Sequence, residues 1–108
     1  MILFQWDDGN TKHILRDYPE RDNSISEVES VFADPFVMIK EVRSSNDGEA
    51  RFQAVGLSNR FRVCSVVFVV RNSQIRPISC WPSKAKVRNQ YAENTEKRKQ
   101  EASGRNQK

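Results

Sequence analysis

The sequence is poor in the residues on which most catalytic and cofactor chemistries depend: one histidine, two cysteines and four glycines. His13 has no evident serine or cysteine partner, so conventional nucleophilic hydrolysis has no strong candidate. Beside Lys12 on a polar stretch, it reads as a solvated helix position. The glycines are scattered at Gly9, Gly48, Gly56 and Gly104, which form no phosphate loop or dinucleotide fingerprint. No cofactor is therefore expected. Cys64 and Cys80 fall inside apparent strands, outside any CxxC or Cys/His cluster, and read as buried free thiols. No metal centre is expected. Asp7 and Asp8 could hold a cation, but at a strand exit an aspartate ordinarily accepts hydrogen bonds from backbone amides. The longest apolar run, Val66 to Val70, falls far short of the roughly 20 residues that span a bilayer. The N-terminus lacks the basic-then-apolar order of a signal peptide, so the chain reads as cytoplasmic with no membrane partner.

The 108 residues allow one small domain, and 37% hydrophobic content is enough to fold it. The domain is expected over residues 1 to 99, followed by a flexible basic tail over 100 to 108. The charge of +4 hides an asymmetry: residues 1 to 50 hold 11 acids against 5 bases, and residues 51 to 108 hold 13 bases against 3 acids. The second half is thus the candidate polyanion surface, suited to nucleic acid or an acidic protein. Direct DNA binding is the weaker reading, because no helix-turn-helix pattern accompanies the basic half.

Hydrophobic periodicity predicts an α+β chain. A short strand over Met1 to Trp6 exits at Asp7-Asp8-Gly9-Asn10, and Thr11 to Arg16 forms one or two helical turns before a loop around Pro19. A second helix follows, capped by Ser24 or Ser26, with Ile25, Val28, Val31 and Phe32 at helical spacing and a stop at Asp34-Pro35. The period then falls to two. Strands are expected from Phe36 to Val42, Ala50 to Leu57, Arg62 to Val70 and Gln74 to Cys80, joined by polar turns as an antiparallel meander. Arg62 to Val70 should be central, while Pro77 places its strand at an edge or distorts it. Lys84 to about Lys99 reads as a helix held weakly by the core.

His13 stays open as a ligand or base, and the main set left to carry chemistry is basic: Arg51, Arg60, Arg62, Arg71, Arg76, Lys84, Lys86 and Arg88, with Trp81 and Tyr91 among them. Such groups can hold a phosphodiester, stabilise the charge that develops when a 2′-hydroxyl attacks it, and stack on a base.

Five segments, in order, resemble the BrnT family of ribonuclease toxins. Phe4-Gln5-Trp6-Asp7 with Asn10 is similar to the opening F-x-W-D pattern, and Glu27 to Pro35 to E-x-x-x-V-F-x-D-P. Gly48-Glu49-Ala50-Arg51-Phe52 with Gly56 and Ser58, Arg62 to Arg71, and Ile75-Arg76 through Arg88 and Tyr91 resemble the later segments. The resemblance implies a RelE-like sheet with two N-terminal helices and one C-terminal helix, and a toxin of a type II toxin-antitoxin module that cleaves RNA and inhibits growth. It also implies a cognate BrnA-type antitoxin, a ribbon-helix-helix protein, with the toxin dimeric inside a heterotetramer.

On this resemblance Arg76 and Arg88 contact the scissile phosphate, and Tyr91 positions or exchanges a proton. Arg62, Arg71, Lys84 and Lys86 hold flanking phosphates, Trp81 stacks a base, and Arg51 either joins them or pairs with Glu49. Two departures stand out. The family's K-H-G before the second helix is missing from Arg16 to Asn23, and Trp81-Pro82 replaces an arginine-rich junction. They motivate an alternative: a degenerate toxin-like module that binds an antitoxin or RNA without cleaving.

Overall fold

The computed structural model describes residues 2–15, 22–42 and 48–106, with side chains of the last helix as far as Ala102. The loop expected around Pro19 and most of the Ser44–Gly48 loop lie outside the described residues. The chain runs α1 (Asp8–Leu15), α2 (Ile25–Ala33), β1 (Met38–Val42), β2 (Arg51–Leu57), β3 (Val63–Arg71), β4 (Gln74–Pro82) and α3 (Ala85–Asn106). The four strands form one antiparallel sheet in the order β1-β2-β3-β4, so the fold is the expected α+β meander.

β3 is central, as its apolar run requires: Cys64, Val66 and Phe68 turn to the helices, and Val69 is buried on the opposite side. Asn72 and Ser73, at φ 53° and 63°, make the two-residue turn that matches strand twist and joins β3 to β4. β4 is one of the two edge strands and is also irregular at its proline. Val67 pairs with Ser79 and Phe68 with Pro77, so Ile78 is skipped.

The expected first strand is shorter than a strand. Phe4 makes one parallel bridge to Ile75, with Gln5 N donating to Ile75 O at 2.8 Å and Ile75 N to Leu3 O at 2.9 Å. Asp7 ends it by starting α1 three residues earlier than the periodicity suggests. Its Oδ1 accepts from Gly9 N at 2.9 Å, and its own N–H donates to Asn10 Oδ1 at 2.9 Å, a reciprocal cap. Asp7 thus takes the amide-binding role expected at a strand exit.

Of the two cap candidates for α2, Ser24 is the one used, accepting from Glu27 N at 3.1 Å. α1 packs on β4 and α2 across β2 and β3. The core they close holds Ile14, Val28, Val31, Phe32, Ala54, Cys64, Val66, Phe68 and Cys80, the two cysteines forming no disulfide. Gly56 is required where α2 crosses β2, because a Cβ there would sit 2.9 Å from Val31 O.

α3 extends past Lys99 to Asn106. Among its described side chains only Tyr91 is buried, which agrees with weak attachment. Farther along, Arg98 donates to Pro35 O at 3.0 Å and lies over the Phe36 ring. Among the described residues, no helix is long and apolar enough to cross a membrane.

Candidate nucleic-acid interface

Residues opposed across an antiparallel pair share a face, and neighbours along a strand alternate. Phe52 and Phe68 oppose each other and stack on the core side. Arg51, next to Phe52, therefore belongs to the other face. On β3, Ser65, Val67, Val69 and Arg71 share that outer face. Opposite them on β4 stand Trp81 at Ser65, Arg76 at Val69 and Gln74 at Arg71. The sheet thus gathers Arg51, Arg71, Arg76 and Trp81 on the side away from α2. Lys84 and Lys86 continue from the Trp81 end, both exposed, and Lys84 borders a shallow depression with Ser79, Trp81 and Pro82.

Arg76 is held in place by Asp7, with Nη1 to Oδ2 at 2.7 Å and Nη2 to Oδ1 at 3.0 Å, and by Gln5 Oε1 at 3.4 Å. Among the described residues these bonds use three of its five N–H groups, which leaves Nε and one Nη2 proton for a ligand. The Arg76 guanidinium holds the Asp7 carboxyl down at about 2, helped by the Asn10 and Gly9 amides, so the pair persists through the physiological range. Arg71 is likewise bidentate, to Glu49, at 2.8 Å for both bonds. Glu49 therefore pairs with Arg71 and not with Arg51, whose Nε is buried with no hydrogen-bond partner among the described residues. Gly9, Asn10, His13, Arg71, Arg76 and Ile78 line one depression of about 280 Å³.

The structure does not bring Arg76 and Arg88 together. Arg88 is exposed on the first turn of α3 and donates through Nη1 to Ser83 O at 2.7 Å. Ser83 follows the far end of β4, and at about 3.3 Å per residue the strand separates the two sites by roughly 20 Å.

Arg62 faces α2, where Nε donates to Glu27 Oε2 and Nη2 to Glu27 Oε1, both at 2.6 Å. Ser58 Oγ donates to Glu27 Oε2 at 2.7 Å. Glu27 has no solvent exposure. Burial pushes its carboxyl up, but the bonds from Arg62 and Ser58 outweigh this and hold it below its ordinary value, and the hydrogen bonds to Glu27 raise Arg62. Tyr91 is also inward: its hydroxyl donates to Asp34 Oδ2 at 2.5 Å, and the same oxygen accepts from Leu57 N at 2.8 Å. Burial, then the Asp34 carboxylate, push the phenol up to about 12.

A native value above the ordinary 10 stabilises the fold fully below pH 10 and loses that contribution as the pH rises from 10 to 12. Tyr91→Phe is expected to cost about 1–3 kcal/mol at pH 7 and to flatten the loss of stability between pH 10 and 12. Urea unfolding followed at several alkaline pH values measures both. An unchanged alkaline slope would remove Tyr91 as its source.

Sequence patterning missed Glu27, Asp7 and Asp34 as anchors. Glu27 carried one signal, its position four residues before Val31 on the apolar stripe of α2. Four arginines of the basic half, Arg60, Arg62, Arg71 and Arg76, pair with acids of the first half. The charge asymmetry is therefore partly consumed inside the fold. Arg51, Lys84, Lys86 and Arg88 have no such ion pair among the described residues, and they flank the same outer face.

A surface of arginines, lysines and one tryptophan suits RNA, and the comparison with known families decides the class. The family model for BrnT, ribonuclease toxin of type II toxin-antitoxin systems, matches residues 6–86. The chain belongs to the BrnT family. No curated protein is similar enough to be set beside it. The match spans α1 through β4 and stops at the start of α3, so the outer face of β2–β4 lies within the family's domain. A ribonuclease-toxin role and an antitoxin partner follow from membership.

Proposed function

We propose that this BrnT protein is an endoribonuclease toxin that cleaves RNA by transferring the phosphodiester to its own 2′-hydroxyl, arresting growth until an antitoxin binds it. The observation that carries this reading is Arg76, fixed by Asp7 on the outer face with two donors to spare, beside Arg71. In the reaction the 2′-oxygen attacks phosphorus and the bond to the 5′-oxygen breaks, leaving a 2′,3′-cyclic phosphate and a 5′-hydroxyl. The extra negative charge on the phosphoryl oxygens is met by Arg76 and Arg71, which are already oriented and need no reorganisation.

The separation of Arg76 from Arg88 divides the work. Arg88, Lys84 and Lys86 hold phosphates several nucleotides away, Trp81 stacks an intervening base, and Arg51 supplies charge on the β2 side. Arg62 and Tyr91 are left to the fold. The antitoxin is proposed to be a ribbon-helix-helix protein of the BrnA type, in a heterotetramer with two toxins, and the protein to act in the cytoplasm.

The bidentate pairing of both Arg71 and Arg76 with carboxylates favours one competing reading, a module that binds RNA or antitoxin without cleaving. Inducible expression in a bacterium, with growth and total RNA integrity followed together, separates them. The wild type is expected to arrest growth with loss of RNA, and the Arg76→Ala plus Arg88→Ala variant to do neither. Normal growth and intact RNA with soluble, folded wild type would favour the binding module.

A further inference from the structure

His13 reads from the sequence as a solvated helix position, yet it lines the depression that contains Arg71 and Arg76. Three features hold it there. Asn10, buried, donates through Nδ2 to Gln5 O at 2.9 Å and Pro77 O at 3.0 Å, which fixes the rotation of α1 against β4. Gly9 lies under the Arg76 guanidinium, since a Cβ at Gly9 would be 3.4 Å from Nη2. His13 is four residues beyond Gly9, so it sits on the same face about 6 Å along the helix axis. It is half-buried, and it is the only imidazole in the chain. The charged residues that line the depression with it are Arg71, paired with Glu49, and Arg76, paired with Asp7.

Accordingly we propose that His13 is the general acid of the cleavage, donating a proton to the departing 5′-oxygen of a phosphodiester seated between Arg71 and Arg76. This rests on the ribonuclease reading above and adds the proton donor that Tyr91 does not supply. The 2′-oxygen bonds to phosphorus and its proton leaves to water. The electron pair of the breaking bond passes to the 5′-oxygen, which takes the proton of the His13 imidazolium. Neutral imidazole, hydronium, a 2′,3′-cyclic phosphate and a 5′-hydroxyl remain. Imidazole suits this because its ring nitrogen can give up a proton and take one back, which the guanidiniums beside it do not do.

The test uses the full chain and a randomised oligonucleotide pool carrying one ribonucleotide, joined to the next nucleotide through a 5′-oxygen or a bridging 5′-sulfur. A thiolate leaves without protonation, whereas an alkoxide does not. His13→Ala is expected to slow cleavage of the oxygen linkage by about 10²–10⁴-fold and to leave the sulfur linkage within about tenfold of wild type. Equal loss on both linkages, or loss on neither, overturns the assignment of His13 while leaving the ribonuclease reading standing. Wild type inactive on both linkages overturns the ribonuclease reading and His13's role with it. His13→Gln, compared by thermal unfolding, guards against a fold defect: matched Tm values with the same leaving-group selectivity support the role, and loss of that selectivity overturns it.

Discussion

Glu27→Ala is expected to lower the unfolding free energy by about 3 kcal/mol, the low end of the 3–5 kcal/mol typical for stranding one member of a buried ion pair. The low end applies because the Arg62 side chain keeps 27% of its exposure and can recruit water, whereas Glu27 has none. A domain of this size has about 5–15 kcal/mol in all, so the loss is a large fraction of its stability. The cost comes from three donors that lose their Glu27 acceptor: the Arg62 guanidinium, the Ser58 hydroxyl and the Cys64 thiol, which lies 3.6 Å from Glu27 Oε2. Replacing Glu27 and Arg62 together by leucines should recover much of the loss, since no charge is then stranded. Because the native Glu27 carboxyl is depressed, its contribution is full above the ordinary value of 4.5 and fades as the pH falls through the lower native one. Urea titration at pH 7 and at acidic pH measures all three effects, and a Glu27→Ala loss under 1 kcal/mol would refute the account.

The second large effect is on catalysis. Arg76→Ala is expected to reduce cleavage by about 10²–10³-fold, the range for removing one preorganised donor from a developing oxyanion. Stability should change little, because Asp7 is 55% exposed and can turn to water. Arg76→Lys keeps the charge but not the fork that engages both Asp7 oxygens, so it should restore only a small part of the rate. Arg88→Ala should behave differently, because its site is roughly 20 Å away along β4. It is expected to weaken RNA binding with kcat nearly unchanged, and to flatten the salt dependence by about 0.7 in log-log slope, because one phosphate fewer is neutralised. Single-turnover cleavage at several salt concentrations distinguishes the two patterns, and a kcat loss for Arg88→Ala equal to that of Arg76→Ala would contradict the division of labour.

The features of this protein that are legible in its sequence are those governed by neighbours a few residues apart. Turn formers and period-two stretches mark the four strands, Ser24 and Ser26 mark the start of α2, and the missing N–H of Pro77 marks β4 as an edge or distorted strand. Five ordered segments are enough to indicate the family. Which charges meet is settled by tertiary structure. Arg62 lies 35 residues from Glu27, Arg76 lies 69 from Asp7 and Tyr91 lies 57 from Asp34. No local pattern distinguishes a guanidinium aimed at RNA from one aimed at a carboxylate, because composition, charge and spacing are the same for both. The difference arises when strand register assigns each side chain to a face and helix packing brings an acid up against it, or sets His13 in the same depression.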